Sequence, residues 1–269
     1  MTPHQAGIHP IRLALKAGGL FVILNLLFAA WNPPFARLSI YNILVPGRER
    51  FPFAFHPEVD YSVVFSDLDA MFASHQISKP KQPNEPRVVL IGNSSVWGTL
   101  LQPDQTLSAG LTDAGLECGG RRLQFYDLGY HRSSLGKDLM ILDRAMENRP
   151  DMVLWLVSLY AFTPERRSGH ALIPANLARA REIDAEYGVF PKLRAVSPSD
   201  SLTARTVAGR KKDLALWFAL QEYGLLWAAT GIDQDIGGNP PRRRRPGRRT
   251  FPLRVGSRQP WNRANCRWI

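Results

Sequence analysis

The sequence predicts an α/β fold built on a parallel sheet and preceded by an apolar helix long enough to cross a membrane. Three observations predict it. Residues Leu13 to Trp31 are apolar apart from Lys16 and Asn25. Three runs, Arg87–Gly92, Leu123–Tyr130 and Met152–Phe162, read as strands, the first of the continuous apolar kind that suits a sheet covered on both faces and the third buried. Helical patterns separate these runs, and such alternation implies parallel strands joined by right-handed crossovers.

The apolar stretch 13–31 holds 19 residues, close to the roughly 20 that span a bilayer. Arg12 and Lys16 at its start favour a cytoplasmic N-terminus, residues 1–12, with the main domain outside. Arg37 just beyond weakens that asymmetry. Cleavage after Ala30 would put Phe28 at −3, where signal peptides want a small residue. An uncleaved anchor is therefore expected; a cleaved signal and a buried globular helix are the alternatives. Pro33-Pro34 ends the helix. Residues 32–86 read as a connecting region. It holds a turn at Pro46-Gly47, a short amphipathic helix at Val64–Ile77 and a polar, proline-rich linker at Ser78–Pro86.

A compact domain is expected over residues 87–234. Its first strand, Arg87–Gly92, is followed by a helix at Gln105–Ala114 and a second strand at Leu123–Tyr130. Ser133–Asn148 reads as a helix with serine at its start and Leu135, Leu139, Leu142 and Met146 on its apolar stripe. Pro150-Asp151 breaks it before the third strand, Met152–Phe162. Two further helices are expected near Pro174–Tyr187 and Leu202–Thr230.

A net charge of +11 suggests nucleic acid or an anionic membrane until the charge is located. Ten arginines lie between Asn239 and Ile269 with no lysine and no acid, which leaves +1 for residues 1–238. The body is near neutral, and no specific nucleic-acid partner is expected. Residues 235–269 have no apolar periodicity and read as a disordered arginine-rich tail. Its glycine, proline, arginine and tryptophan all have G/C-rich codons, as expected of out-of-frame translation or a truncated reading frame. A genuine arginine-rich arm for RNA or anionic lipid is the alternative. The two cysteines, Cys118 and Cys266, are not expected to pair. No metal-ligand spacing occurs, and no cofactor is expected.

In open parallel sheets, sites form at the carboxyl ends of strands. Those ends are Gly92-Asn93-Ser94-Ser95, Asp127-Leu128-Gly129 and Ser158-Leu159-Tyr160. A serine at a sharp strand-to-loop turn exposes its hydroxyl, and backbone N–H groups beside it can hold an oxyanion.

"VVLIGNSSVWG" (Val88–Gly98) resembles the first block of the SGNH, or GDSL-type, hydrolases. "YDLGYHRSSLGKDLMILDRAMENRPDMVLWLVSL" (Tyr126–Leu159) resembles their second and third blocks. With the anchor and "SIYNILVPGRERFPF", the pattern over residues 10–234 is similar to membrane-anchored bacterial members. The resemblance implies an α/β/α sandwich of the SGNH, flavodoxin-like kind, incomplete in this chain. It implies Ser94 as nucleophile, with its own N–H and that of Gly129 as oxyanion donors. Asn93 and His131 are the supporting candidates. Four departures stand out: Asn93 replaces the usual aspartate, Asp127 stands where asparagine is common, and Leu159 and its neighbours offer no asparagine. The histidines, at 4, 9, 56, 75, 131 and 170, all lack the aspartate three residues earlier that marks the family's base. His131 is the substitute candidate, and His170 a weaker one. The expected function is a serine esterase or acyltransferase acting on an acyl ester of the cell envelope, inactive in this chain without the Asp-x-x-His block. The alternative is a noncatalytic binding or scaffold protein of the same fold. An arginine-rich nucleic-acid binder has only the tail to support it.

Overall fold

The computed structural model describes residues 9–45, 47–53, 66–190 and 202–230. The start of the expected 64–77 helix, Pro46 of the expected turn, and the tail lie outside them. The chain divides into two compact units, residues 1–35 with 197–218 and residues 36–196 with 219–269.

The first unit contains α1 (Pro10–Trp31), the one described helix long and apolar enough to cross a membrane. Proline at its first turn and Asn32 in the left-handed conformation at its end set its limits. Only Asn25 and Ala29 are buried along it.

The second unit is mixed α/β. Its central strand β1 (Arg87–Gly92) lies between β4 (Gln124–Asp127) and β5 (Met152–Leu156), both parallel to it. The pair β2 (Glu117–Cys118) and β3 (Arg121–Arg122) forms a separate small hairpin, which the sequence reading did not anticipate. Every residue of β1 is buried, because both faces are covered. Val88 and Leu90 pack with Val96, Phe125 and Leu111 of a helix we label α5 (Leu107–Asp113). Val89 and Ile91 pack into a larger core with Met140 and Ile141 of α6 (Leu135–Met146) and Met71 and Phe72 of α3 (Leu68–Ser74). Residues 36–86 thus belong to the sheet's own unit, and Phe51 and Phe53 are buried in its core.

Several elements differ from the sequence reading, each for a local reason. The third strand stops at Leu156, and Leu159–Phe162 forms a 3₁₀ turn instead. Ser158 drives that change: its hydroxyl accepts from Tyr160 N and its carbonyl from Ala161 N. β4 ends at Asp127, but Leu128 N and Tyr130 N still donate to Leu90 O and Gly92 O. The helix cap before α6 is Ser134, whose hydroxyl accepts from Lys137 N. The expected 174–187 helix is two pieces, α8 (Leu172–Ala175) and α9 (Leu177–Tyr187), after a short α7 (Pro164–Arg167). The 202–230 helix is broken into α10 (Leu202–Arg205) and α11 (Lys211–Thr230). The buried stripe of α6 is also rotated. It runs through Lys137, Met140, Ile141, Arg144 and Ala145, whereas Met146 is exposed. Cys118 is disulfide-bonded, which corrects the expectation of an unpaired thiol; its partner lies outside the described residues.

Candidate functional site

β1 delivers Asn93 and Ser94 to the carboxyl edge of the sheet. The chain turns there into α4 (Ser94–Trp97), a single helical turn. Asn93 makes the turn possible. Its carboxamide oxygen accepts from Ser95 N at 2.9 Å, and its backbone carbonyl accepts from Val96 N and Trp97 N. Its amide nitrogen donates to Ser133 Oγ at 3.0 Å, which ties the loop after β4 to the turn at Ser94. Ser94 is half-buried, and its hydroxyl has no hydrogen-bond partner among the described residues.

Gly129 lies against the same turn. A Cβ there would sit 2.4 Å from Trp97 N and 2.9 Å from Val96 C, so only glycine lets the two backbones approach this closely. Its N–H donates to Asp127 Oδ1 at 2.9 Å. A substrate oxygen would therefore compete with an internal carboxylate for that donor. Asp127 is buried, at the position where the resemblance anticipates asparagine.

Two histidines from distant parts of the chain meet beside this loop. The rings of His131 and His170 lie 5.6 Å apart. His131 rests on Phe53 and Tyr130, at 3.9 and 4.5 Å between ring centroids, and its Nδ1 is buried without a partner. Burial, then the charges of Lys137 and Arg132, lower its pKa to about 4. His170 is more constrained. Its Nδ1 accepts from Leu172 N at 3.1 Å, and the ring also hydrogen-bonds the backbone of His131. Burial and then Lys137 lower its pKa to about 3. With its nitrogens engaged, His170 is built as a strut for the loop rather than as a free base.

Lys137 and Arg50 are the residues the sequence reading missed. Lys137 is fully buried, and its ammonium donates to Gly92 O and Tyr130 O, both at 2.8 Å. It also pairs with Asp138 Oδ1 at 2.8 Å. One cation therefore pins the exit of β1 to the exit of β4. Burial lowers its pKa, against the opposing pull of Asp138. From the other side, Arg50 donates to Trp97 O and Gly98 O at 3.1 and 3.0 Å, with its guanidinium 4.2 Å above the Trp97 ring. It caps the C-terminal end of α4, where a cation is favoured. Trp97 Nε1 donates back to Phe51 O. His75 closes this brace: its Nε2 lies 3.0 Å from both Glu49 O and Asp127 O, and its Nδ1 accepts from Ile77 N. The only sequence signal for the brace is the pair of arginines in "PGRERFPF", charged residues set among aromatic ones.

The third strand end is different in kind. Leu156 pairs with Gly92. Beyond it Leu159 is exposed, and the Ser158 hydroxyl is used within its own turn. No group of three or more His, Cys, Asp or Glu side chains suited to a metal occurs among the described residues.

The fold and site define a mixed α/β protein with a three-stranded parallel sheet, a serine at the end of its central strand and a candidate membrane helix ahead of it. No family model, curated protein or solved structure matches the chain.

Proposed function

We propose that the chain is a membrane-anchored, envelope-facing protein of SGNH-like type, with Ser94 in the position of a nucleophile for acyl-ester chemistry. The single observation that supports this reading best is the close packing of Gly129 on the one-turn helix that begins with Ser94. That packing joins the two strand ends an acyl-transfer site would use. In the attack, the Ser94 hydroxyl would add to the ester carbonyl and lose its proton to a base, and backbone N–H groups would take the negative charge of the oxygen. A helix-terminal N–H at Ser94 suits that task. The Gly129 N–H suits it less while Asp127 holds it.

A second reading, a noncatalytic binding or scaffold protein, is favoured by that same hydrogen bond and by the histidine pattern. A serine without a base is a poor nucleophile at neutral pH. This chain has no Asp-x-x-His. His131 is neutral at pH 7, but its ring is stacked on Phe53 with no carboxylate partner among the described residues to orient it.

The expected outcome is negligible turnover of a short-chain acyl ester by the purified chain. A missing base removes about two to four orders of magnitude, and a lost oxyanion donor about two to three more. Hydrolysis abolished by Ser94→Ala and also by His131→Ala would overturn that expectation and make His131 the base. Hydrolysis unaffected by Ser94→Ala would overturn the assignment of the nucleophile.

A further inference from the structure

We propose that residues 202–218 form a second membrane contact, embedded in the bilayer interface beside the C-terminal end of α1, with lipid as their partner. The proposal rests on α1 spanning the bilayer. Its starting point is the polar residue Asn25 in an otherwise apolar helix. In hydrocarbon, every polar group must find its partner within the protein. Asn25 does so: its Nδ2 donates to Phe21 O at 2.9 Å, and its Oδ1 accepts from Ala208 N at 3.4 Å.

The contact with Ala208 has geometric consequences. Asn25 and Ala29 are one helical turn apart and are the only buried residues of α1. They form a narrow face of small and polar side chains, the kind that allows close backbone approach between membrane segments. The segment from α10 to Arg210 covers that face. Above it, Arg210 donates to Asn32 Oδ1 and Pro33 O, both at 3.2 Å. Its guanidinium lies 4.1 Å above Phe35, which in turn meets Trp217 edge-on.

These ties fix the depth. Trp31 is exposed at the end of α1, the type of residue that settles at the headgroup level. Asn25 lies six residues below it, about 9 Å down at 1.5 Å per residue. The hydrocarbon half-thickness is about 15 Å. Ala208 therefore sits inside the leaflet whenever α1 crosses it. The surface of the segment agrees. Leu202, Val207, Leu216 and Phe218 are exposed, and the exposed Lys211 and Lys212 lie between them. Apolar residues interleaved with lysines suit an interface with anionic headgroups. A water-facing segment would instead leave those four apolar side chains in solvent.

The full chain, reconstituted into vesicles of phosphatidylcholine and phosphatidylglycerol, tests the proposal. Nitroxide labels at Val207→Cys, Phe218→Cys, Leu24→Cys and Glu165→Cys are compared for collision with oxygen and with a water-soluble nickel chelate, the unsubstituted chain setting the background. The expected result is oxygen-rich, nickel-poor behaviour at Val207, as at Leu24, behaviour between Leu24 and Glu165 at Phe218, whose neighbour Trp217 meets Phe35 just beyond the headgroup-level Trp31, and the reverse at Glu165. Val207 and Phe218 behaving like Glu165 while Leu24 stays lipid-buried would overturn the proposal and leave the span standing. Leu24 behaving like Glu165 would instead remove the span, and the proposal with it.

Discussion

At the scale of single residues, Gly129 is the tightest constraint on the candidate site. Its backbone is needed for space, since the atoms its missing side chain would strike, Trp97 N and Val96 C, are themselves backbone. They move only if α4 or the exit of β4 moves. Gly129→Ala is expected to cost about 2–3 kcal/mol, at the upper end for overpacking. Gly110 is the control, because it lies inside α5 with nothing within 4 Å of an added Cβ. Gly110→Ala is expected to be neutral or to stabilise by about 0.5–1 kcal/mol. Urea unfolding of the two variants decides the matter, and equal effects would show that Gly129 is not held by close approach. The hydroxyl of Ser94 and the unpartnered Nδ1 of His131 belong to the same scale. Both lie at the sheet's carboxyl edge, yet only the serine was recognisable from its immediate neighbours, as a strand ending in Gly-Asn-Ser.

At the scale of elements, the order of strands and helices was legible in the sequence, and the direction in which they face was less so. β1 and β5 were recognisable because Val88–Ile91 and Met152–Leu156 are unbroken apolar runs, and β4 because Phe125 and Tyr126 stand between Gln124 and Asp127 just ahead of Gly129. The face of α6 was misjudged for a physical reason. Counting apolar residues selects Leu135, Leu139, Leu142 and Met146, but this helix turns two cations inward. Lys137 reaches the carbonyls of Gly92 and Tyr130, and Arg144 pairs with Asp69 and lies 4.9 Å over Phe72. Buried charges with complete partner sets look like surface residues to any hydropathy count. The meeting of His131 with His170 was hidden for a related reason, since it depends on tertiary packing of segments 39 residues apart. A prediction follows for the element itself. Lys137→Met leaves Asp138 buried with only the Trp155 N–H as a side-chain partner, and strips two strand-end carbonyls of their cation. The expected loss is about 3–5 kcal/mol, as for breaking one half of a buried pair. Adding Asp138→Asn is expected to recover a substantial part of it. Chemical denaturation of the single and double variants measures both, and a single-variant loss under about 1 kcal/mol would mean that Lys137 does not hold the two strand ends together.

At the scale of the whole sheet unit, the histidines make stability depend on pH in a definite direction. His75 is fully buried; burial lowers its pKa to about 4, although its hydrogen bonds to Glu49 and Asp127 oppose the shift. His131 and His170 are lowered to about 4 and about 3, mainly by burial, with the charges of Lys137 and Arg132 contributing to both and the proximity of His131 contributing to His170. An unfolded histidine titrates near 6.5. Between these values the unfolded chain binds more protons than the folded one, so stability falls as pH falls. The contribution is fully present above about pH 6.5 and is lost as pH drops through 4. For His75 alone it is on the order of 3 kcal/mol. Asp69 and Asp151, held below the usual carboxylate range with their arginine and lysine partners nearby, act in the same direction at still lower pH. The histidine window is thus separable from the acid one. Thermal melts between pH 8 and pH 4 are expected to show a steady decline beginning near pH 6.5, before those carboxylates begin to protonate. His75→Gln removes one titrating group and flattens the upper part of that decline, at the cost of some stability at pH 8 from the altered clasp on Glu49 O and Asp127 O. A melting temperature that stays constant from pH 7 to pH 5 would mean that these rings titrate alike in the folded and unfolded chain, and that the clasp on Asp127 and the loop beside Ser94 is not built from neutral histidines.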